Sequence, residues 1–143
     1  MKIAIGSDHA GFPLKKLVVK HLEDKNITVT DFGPTSEESV DYPDFGHPVA
    51  QDVIAKNSDL GIVICGSGNG INMTVNKYKE IRSALSWTAE LASLARQHNN
   101  ANVLALPARF ISEDLGLEIV DTFIESEFEG GRHQRRVDKI SNF

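Results

Sequence analysis

The sequence predicts an α/β fold: a doubly wound, mostly parallel five-stranded sheet with helices on both faces, a Rossmann/flavodoxin-like three-layer sandwich. Three observations predict it. Short apolar runs alternate with longer amphipathic stretches along the whole chain, strand then helix, five times over. The clearest run, Leu60 to Ile64 (LGIVI), is continuous and rich in β-branched residues, as a strand covered on both faces should be. No internal repeat, low-complexity tract or linker divides the 143 residues, a length that suits one domain spanning 1–143.

The elements follow in order. Lys2 to Gly6 (KIAIG) reads as the first strand. Phe12 to Asp24 carries Leu14, Leu17, Val18 and Leu22 at helical spacing. Ile27 to Phe32 alternates as a second strand. Pro48 to Ala55 reads as helix, with Pro43 and Pro48 breaking the segment before it. After the Leu60 strand, Ile71 to Lys79 reads as helix, Arg82 to Ser86 as a weak strand and Thr88 to Gln97 as helix. Asn102 to Ala105 is the fifth strand, Leu115 to Ile124 its helix, and a short basic helix, Gly131 to Lys139, closes the chain.

Right-handed crossovers make an open, doubly wound sheet the usual solution for this order. Such sheets bind ligands beyond the carboxyl ends of their strands, where strand order reverses. The residues after the strands are Ser7-Asp8-His9, Gly33-Pro34, Cys65 to Gly70, Trp87, and Leu106 to Arg109. A flavodoxin-like order makes the first and third strands neighbours, which places Asp8, His9 and Cys65 in one crevice.

Composition narrows the function. Hydrophobic residues make up 41% and charged residues 24%, the balance of a soluble globular protein. The formal net charge of −5 gives no global basic field for nucleic acid. One cysteine forms no intrachain disulfide, which fits a reducing compartment. The start MKIAIGSDHAG turns polar too soon for a signal peptide, and no apolar run approaches the roughly 20 residues of a membrane span. These features predict a cytoplasmic protein with neither nucleic-acid nor membrane partners.

Two glycine-rich stretches miss the nucleotide fingerprints. GSDHAG (Gly6 to Gly11) has the glycine spacing of a P-loop, but Phe12 and Pro13 stand where the lysine and hydroxyl residue belong. Gly66 to Gly70 is G-x-G-x-G and lacks the dinucleotide pattern. Locally, GSDHAG reads equally well as a turn with Asp8 near a helix start or as part of a catalytic site.

Cys65, the chain's lone cysteine, ends the central apolar run and precedes Gly66, Gly68 and Gly70. A cysteine there is usually a small buried hydrophobe. Two features favour chemistry instead. The glycine loop leaves the thiol open to a ligand, and the helix that follows aims its N-terminal dipole at it, favouring the thiolate. The loop amides of Gly66 to Gly70 form a nest for an oxyanion. A thiolate base beside an oxyanion cradle suits proton abstraction next to a carbonyl, giving an enediolate.

In GGRHQRR, Arg132 and Arg136 lie four residues apart on one helical face, with Arg135 beside them. They suit phosphate, to which arginine offers forked, charge-assisted donors, although a solvated basic terminus looks the same. His98, in RQHNN, is either a surface helix cap or an acid/base group. The histidines show no metal-ligand spacing and one cysteine makes no thiolate site, so no metal is expected. Tyr42-Pro43 and Trp87 read as core or edge packing rather than pocket lining.

GSDHAG, CGSGNGIN, RQHNN and GGRHQRR together, in order and nearly end to end, make the chain resemble the type B ribose-5-phosphate isomerases. The resemblance implies no cofactor, a homodimer or dimer of dimers with active sites shared between subunits, and aldose–ketose isomerisation of a sugar phosphate. It implies that Cys65 moves the proton between C1 and C2, and that Gly66, Ser67, Gly68, Asn69 and Gly70 hold the enediolate oxygens. It gives Ser67 the shuttling of the oxygen-bound proton, where many members have threonine. It implies that His98 assists ring opening, with Asn99 on the substrate. Asp8 and His9 match substrate contacts, and Arg109, Arg132 and Arg136 match residues that bind substrate or its phosphate. The residues leave the sugar open, since allose 6-phosphate and galactose 6-phosphate are isomerised by related proteins. A non-catalytic sugar-phosphate sensor on the same fold is the second reading; it has no use for a base at Cys65.

Overall fold

The computed structural model describes residues 1–143. The strands are β1 (Lys2–Ser7), β2 (Thr28–Asp31), β3 (Leu60–Cys65), β4 (Ser83–Leu85) and β5 (Val103–Pro107). The helices are α1 (Phe12–Asp24), α2 (Pro43–Ile54), α3 (Asn69–Val75), α4 (Ala89–Asn99), α5 (Glu113–Glu125) and α6 (Arg132–Ile140). All strand pairs are parallel, in the order β2-β1-β3-β5-β4. The expected adjacency of β1 and β3 is present. The short β4 lies at the edge rather than between β3 and β5.

The two faces of the sheet differ in bulk. Ile3, Ile5, Ile62, Ile64, Leu104 and Leu106 point to one face, where α1, α4 and α5 cover them. Ala4, Val63, Cys65, Val103 and Ala105 point to the other, under α2 and α3. Period-two alternation makes this sorting automatic once the register is set. The second face is the thinner one. A Cβ at Gly61 would lie 2.8 Å from the Val49 side chain, so α2 sits against bare strand backbone there.

Three boundaries differ from the sequence reading, each for a physical reason. Helix α2 begins at Pro43, five residues earlier than expected, with Pro48 inside it. Proline at the first helical position costs no hydrogen bond. The bond lost at Pro48 is offset by burial of Val49, Ala50 and Val53. Helix α3 begins at Asn69 and stops at Val75 rather than running to Lys79. There the Asn76 side chain leaves the helical pattern to pair with the β4 backbone, accepting from the Ser83 amide (2.8 Å) and donating to its carbonyl (3.0 Å). Helix α4 runs two residues beyond Gln97, placing His98 and Asn99 in its last turn; Asn100 ends it in the left-handed conformation.

One buried ion pair ties α1 to the turn after β2. The Lys15 ammonium donates to both Asp31 carboxylate oxygens (2.7 and 2.9 Å) and to the Pro34 carbonyl (2.8 Å). The Lys15 side chain is 2% exposed and that of Asp31 41%. Asp31→Ala strands the ammonium in the interior with one carbonyl. We expect a loss of roughly 2–3 kcal/mol, below the usual cost of breaking a buried pair because Asp31 is partly solvated. Lys15→Met, which removes the charge, should cost less. Urea unfolding of both variants checks the ranking; an Asp31→Ala protein as stable as the parent refutes it.

Candidate active site

The carboxyl ends of β1, β3 and β5 converge on a cavity of about 540 Å³ lined by Asp8, Tyr42, Cys65, Gly66, Ser67, Gly70, Arg109 and Phe110. Its volume suits a small metabolite. Backbone hydrogen bonds hold the rim. The Asp8 amide donates to the Ile64 carbonyl (3.1 Å), the Ala108 amide to Cys65 (2.9 Å) and the Arg109 amide to Gly66 (2.9 Å). Asp8, Cys65 and Arg109 thus reach one crevice from three strands.

Cys65 is the last residue of β3 and only 4% exposed, so the thiol is a cavity wall rather than an open surface group. Alternation puts it on the α2/α3 face, with Ile71 and Val75. Gly68 takes a positive φ of 77°, and a Cβ there would lie 2.4 Å from the Leu85 side chain. Only glycine makes that turn without strain. A Cβ at Gly70 would meet the Tyr42 ring at 2.5 Å, and one at Gly66 would lie 3.1 Å from the Arg109 guanidinium. The glycines therefore admit a phenol and a guanidinium to the thiol's side of the cavity.

The Ser67 hydroxyl accepts from the Asn69 amide (3.2 Å). One loop N–H is thereby engaged within the loop, and the serine's own O–H is left to point elsewhere. Asp8 serves both readings of its turn. Its carboxylate accepts from the Gly11 amide (3.0 Å) and also lines the cavity. His9 accepts at Nδ1 from the Val40 amide (3.2 Å), which leaves Nε2 as its protonated nitrogen in the neutral ring.

The other expected residues lie apart. None of His98, Asn99, Arg132 and Arg136 lines the Cys65 cavity of the same chain. Asn99 borders a different cleft of about 730 Å³, between the α3–β4 turn and the C-terminus. Arg132 and Arg136 are exposed on α6. Arg109, grouped with them in the sequence reading, sits instead with the thiol.

His98 stacks on His133 with ring centroids 4.2 Å apart and planes 11° from parallel. The Glu129 carboxylate lies 3.8 Å from His98 Nε2 and 3.6 Å from His133 Nε2. The ligand atoms of this trio all lie within 4.8 Å of one another, a grouping that sequence spacing does not reveal because it joins α4, a loop and α6. The rings are too nearly parallel for one ion to lie in both planes without one ring turning.

The pocket reading of two aromatics needs correction. Tyr42 lines the Cys65 cavity, and Trp87 is 53% exposed and borders an adjoining cavity with Ser67 and Phe110. Neither is core. Tyr42 and Phe110 were missed as site residues because each lies in a turn with no apolar periodicity to place it. The Tyr42 ring meets Gly70 only in the folded chain, so no local signal marks it.

The chain is similar over nearly its whole length to proteins of one family. The family model described as Ribose/Galactose Isomerase matches residues 3–140. Ribose-5-phosphate isomerase B of Escherichia coli is 44% identical over 140 residues, covering 98% of this chain and 94% of that protein. The ribose-5-phosphate isomerase B structure from Clostridium thermocellum superposes with a TM-score of 0.98 at 49% identity, covering 99% and 96% of the two chains. That from Mycoplasma genitalium, which holds bound ribulose 5-phosphate, gives 0.94 at 48% identity, covering 99% and 94%.

Burial holds the His133 pKa below its ordinary value; the charges of His98, Arg132 and Arg136 push it the same way, against Glu129. The folded state therefore binds this proton less readily than the unfolded chain. Stability is full above the unfolded value of about 6.5 and falls as pH drops through it toward the lower folded value. We expect urea midpoints to decline from pH 7 to pH 5 and His133→Asn to shrink that decline. An equally steep decline in the variant assigns the effect to other groups.

Proposed function

The chain belongs to the ribose/galactose isomerase family, and on that premise we propose that it is a cofactor-independent aldose–ketose isomerase interconverting ribose 5-phosphate and ribulose 5-phosphate. The observation that carries this is Cys65, a thiol at a strand end, on a cavity wall shared with a carboxylate, a hydroxyl and a guanidinium. A sensor needs the cradle and the arginines but not the base. The substrate pair is the one its relatives' names give, and the relative from Mycoplasma genitalium binds ribulose 5-phosphate.

The chemistry follows from the arrangement. The Cys65 thiolate takes the C2 proton of the open-chain aldose and returns it to C1. The charge that develops on the C1 and C2 oxygens meets the amides of Gly66 to Gly70 and the Arg109 guanidinium beside Gly66. Ser67, its oxygen already accepting from Asn69, presents its O–H to move the proton between these oxygens. Asp8, His9, Asn69 and Asn99 contact the sugar, His98 opens its ring, and Arg132 and Arg136 hold the phosphate. Residues 1–143 form one such domain, working in the cytoplasm as part of pentose phosphate metabolism. No helix is long and apolar enough to cross a membrane.

Cys65→Ala should fold and bind substrate while kcat falls by ~100-fold or more. Iodoacetamide should inactivate the parent enzyme, and substrate should protect it. Near-native turnover in the alanine variant would sink the cysteine mechanism.

We further propose a homodimer, or a dimer of dimers, in which Cys65 and the Asp8-His9 turn of one subunit meet Arg132 and Arg136 of the other. Two features support it: those arginines do not line the Cys65 cavity of their own chain, and the exposed rings of Phe110, on its lining, and Trp87, in the adjoining cavity, flank it. A two-fold interface repeats each contact, so the test is complementation. Inactive Cys65→Ala and Arg136→Ala homodimers, unfolded and refolded together, pair at random. About half the dimers are mixed, and each has one intact site, so activity should recover to about a quarter of the parent's. Recovery of no more than the summed activity of the two variants shows that each site is self-contained.

A further inference from the structure

The trio of His98, Glu129 and His133 does more than the proposed reaction has used so far. We propose that Glu129 and His133 are positioning residues for His98, which they hold in the orientation that ring opening requires; this rests on the reading of His98 as the ring-opening group. The geometry is specific. His133 lies near the start of α6, 7% exposed, and offers a flat buried surface on which the His98 ring stacks. The stack sets the plane of the imidazole, which lies in the last turn of α4.

Glu129 is anchored independently of its side chain. Its amide donates to the Gln97 carbonyl (3.0 Å), next to His98. Gly130 and Gly131, both at positive φ, turn the chain sharply so that α6 returns over α4, and the His133 amide donates to Gly130 (3.0 Å). The carboxylate then faces both Nε2 atoms, at 3.8 and 3.6 Å. Those separations exceed a direct hydrogen bond, so it acts by charge, aligning the two ring edges the same way.

Two stacked imidazoles resist holding two protons. The charged groups acting on His133 are His98, Glu129, Arg132 and Arg136. Burial and the arginines lower the His133 pKa, and His98 is the more exposed ring of the pair, the one open to a ligand. In ring opening, His98 gives a proton to the furanose O4 as the C1–O4 bond breaks. The O1 hydroxyl loses its proton to water, its electrons form the C1 carbonyl, and the imidazole is reprotonated from water.

Ribulose 5-phosphate supplies the test. Its carbonyl is at C2 and its C5 oxygen is esterified, so it closes no five-membered ring. Solvent deuterium exchange into its C1 position needs Cys65 but no ring step. Net conversion of ribose 5-phosphate, which is mostly furanose, needs both. Both rates would be measured for His98→Asn, Glu129→Gln, His133→Ala and His133→Phe. We expect net conversion to fall ~100-fold in His98→Asn and about 10-fold or more in Glu129→Gln and His133→Ala, with exchange falling far less in all three. His133→Phe, which keeps a flat ring, should recover part of the His133→Ala loss. If His98→Asn lowers both rates alike, the ring-opening role of His98 is wrong. If His98→Asn separates the rates but Glu129→Gln and His133→Ala lower both equally, or neither, the positioning role is overturned. Glu129 is half exposed, so its variant tests the idea without disturbing the core.

Discussion

The site depends on how the end of β3 is held. A strand's last carbonyls must find donors, and here the neighbours supply them: Asp8 to Ile64, Ala108 to Cys65, Arg109 to Gly66. Each donor amide belongs to a residue at or beside the cavity. The bonds that finish the sheet therefore also fix the distances among a carboxylate, a thiol and a guanidinium. Cys65 ends its strand, and Asp8 and Arg109 follow theirs by one and two residues, tied to β3 by these bonds, which keeps the relative geometry of the three groups reproducible. The glycine loop then leaves the space above them unfilled.

The unequal faces of the sheet explain why the thiol sits where it does. Large residues at Ile62 and Ile64 commit their face to α1, α4 and α5. Cys65 must then face α2 and α3, where the strands carry Ala4, Gly61 and Ala105. Small residues let α2 approach closely, and the turn that leads into it delivers the Tyr42 ring over Gly70. A bulkier residue at Gly61 would lift α2 and with it the aromatic wall. Packing far from the chemistry thus shapes the cavity.

Much of this was legible in the sequence because it rests on short-range pattern. Leu60 to Ile64 reads as a buried strand from its apolar run alone, and a flavodoxin-like order beside β1 puts Asp8 next to Cys65; His9, expected in the same crevice, does not line it. The illegible parts rest on contacts between distant segments. Pro48 looks like a helix breaker until the burial of Val49 and Val53 is known. Asn76 ends α3 by bonding to a strand seven residues on, which no local propensity encodes. Tyr42 and Phe110 lie in turns, where direction is set by tertiary contacts alone. The trio of His98, Glu129 and His133 spans 36 positions and becomes a unit only when the Gly130-Gly131 turn folds α6 back onto α4.

The separation of these two clusters has an electrostatic logic. A thiolate base and a substrate phosphate are both anions, and each needs positive charge nearby. A single cluster of cations would draw the phosphate to the base and place the wrong end of the sugar over the thiol. This chain instead sets Arg109 beside the glycine loop and gathers Arg132 and Arg136 on α6 with the stacked histidines. In a protein of net charge −5 these are local fields, not a global one. In the dimer proposed above, a sugar phosphate that bridges Arg109 of one subunit and α6 of the other is oriented end to end, its carbonyl carbons toward Cys65 and its phosphate toward α6. On the proposed reading His98, stacked on His133 near the start of α6, then acts on the same oriented molecule. Binding energy at the unreactive end is converted in this way into alignment at the reacting carbons.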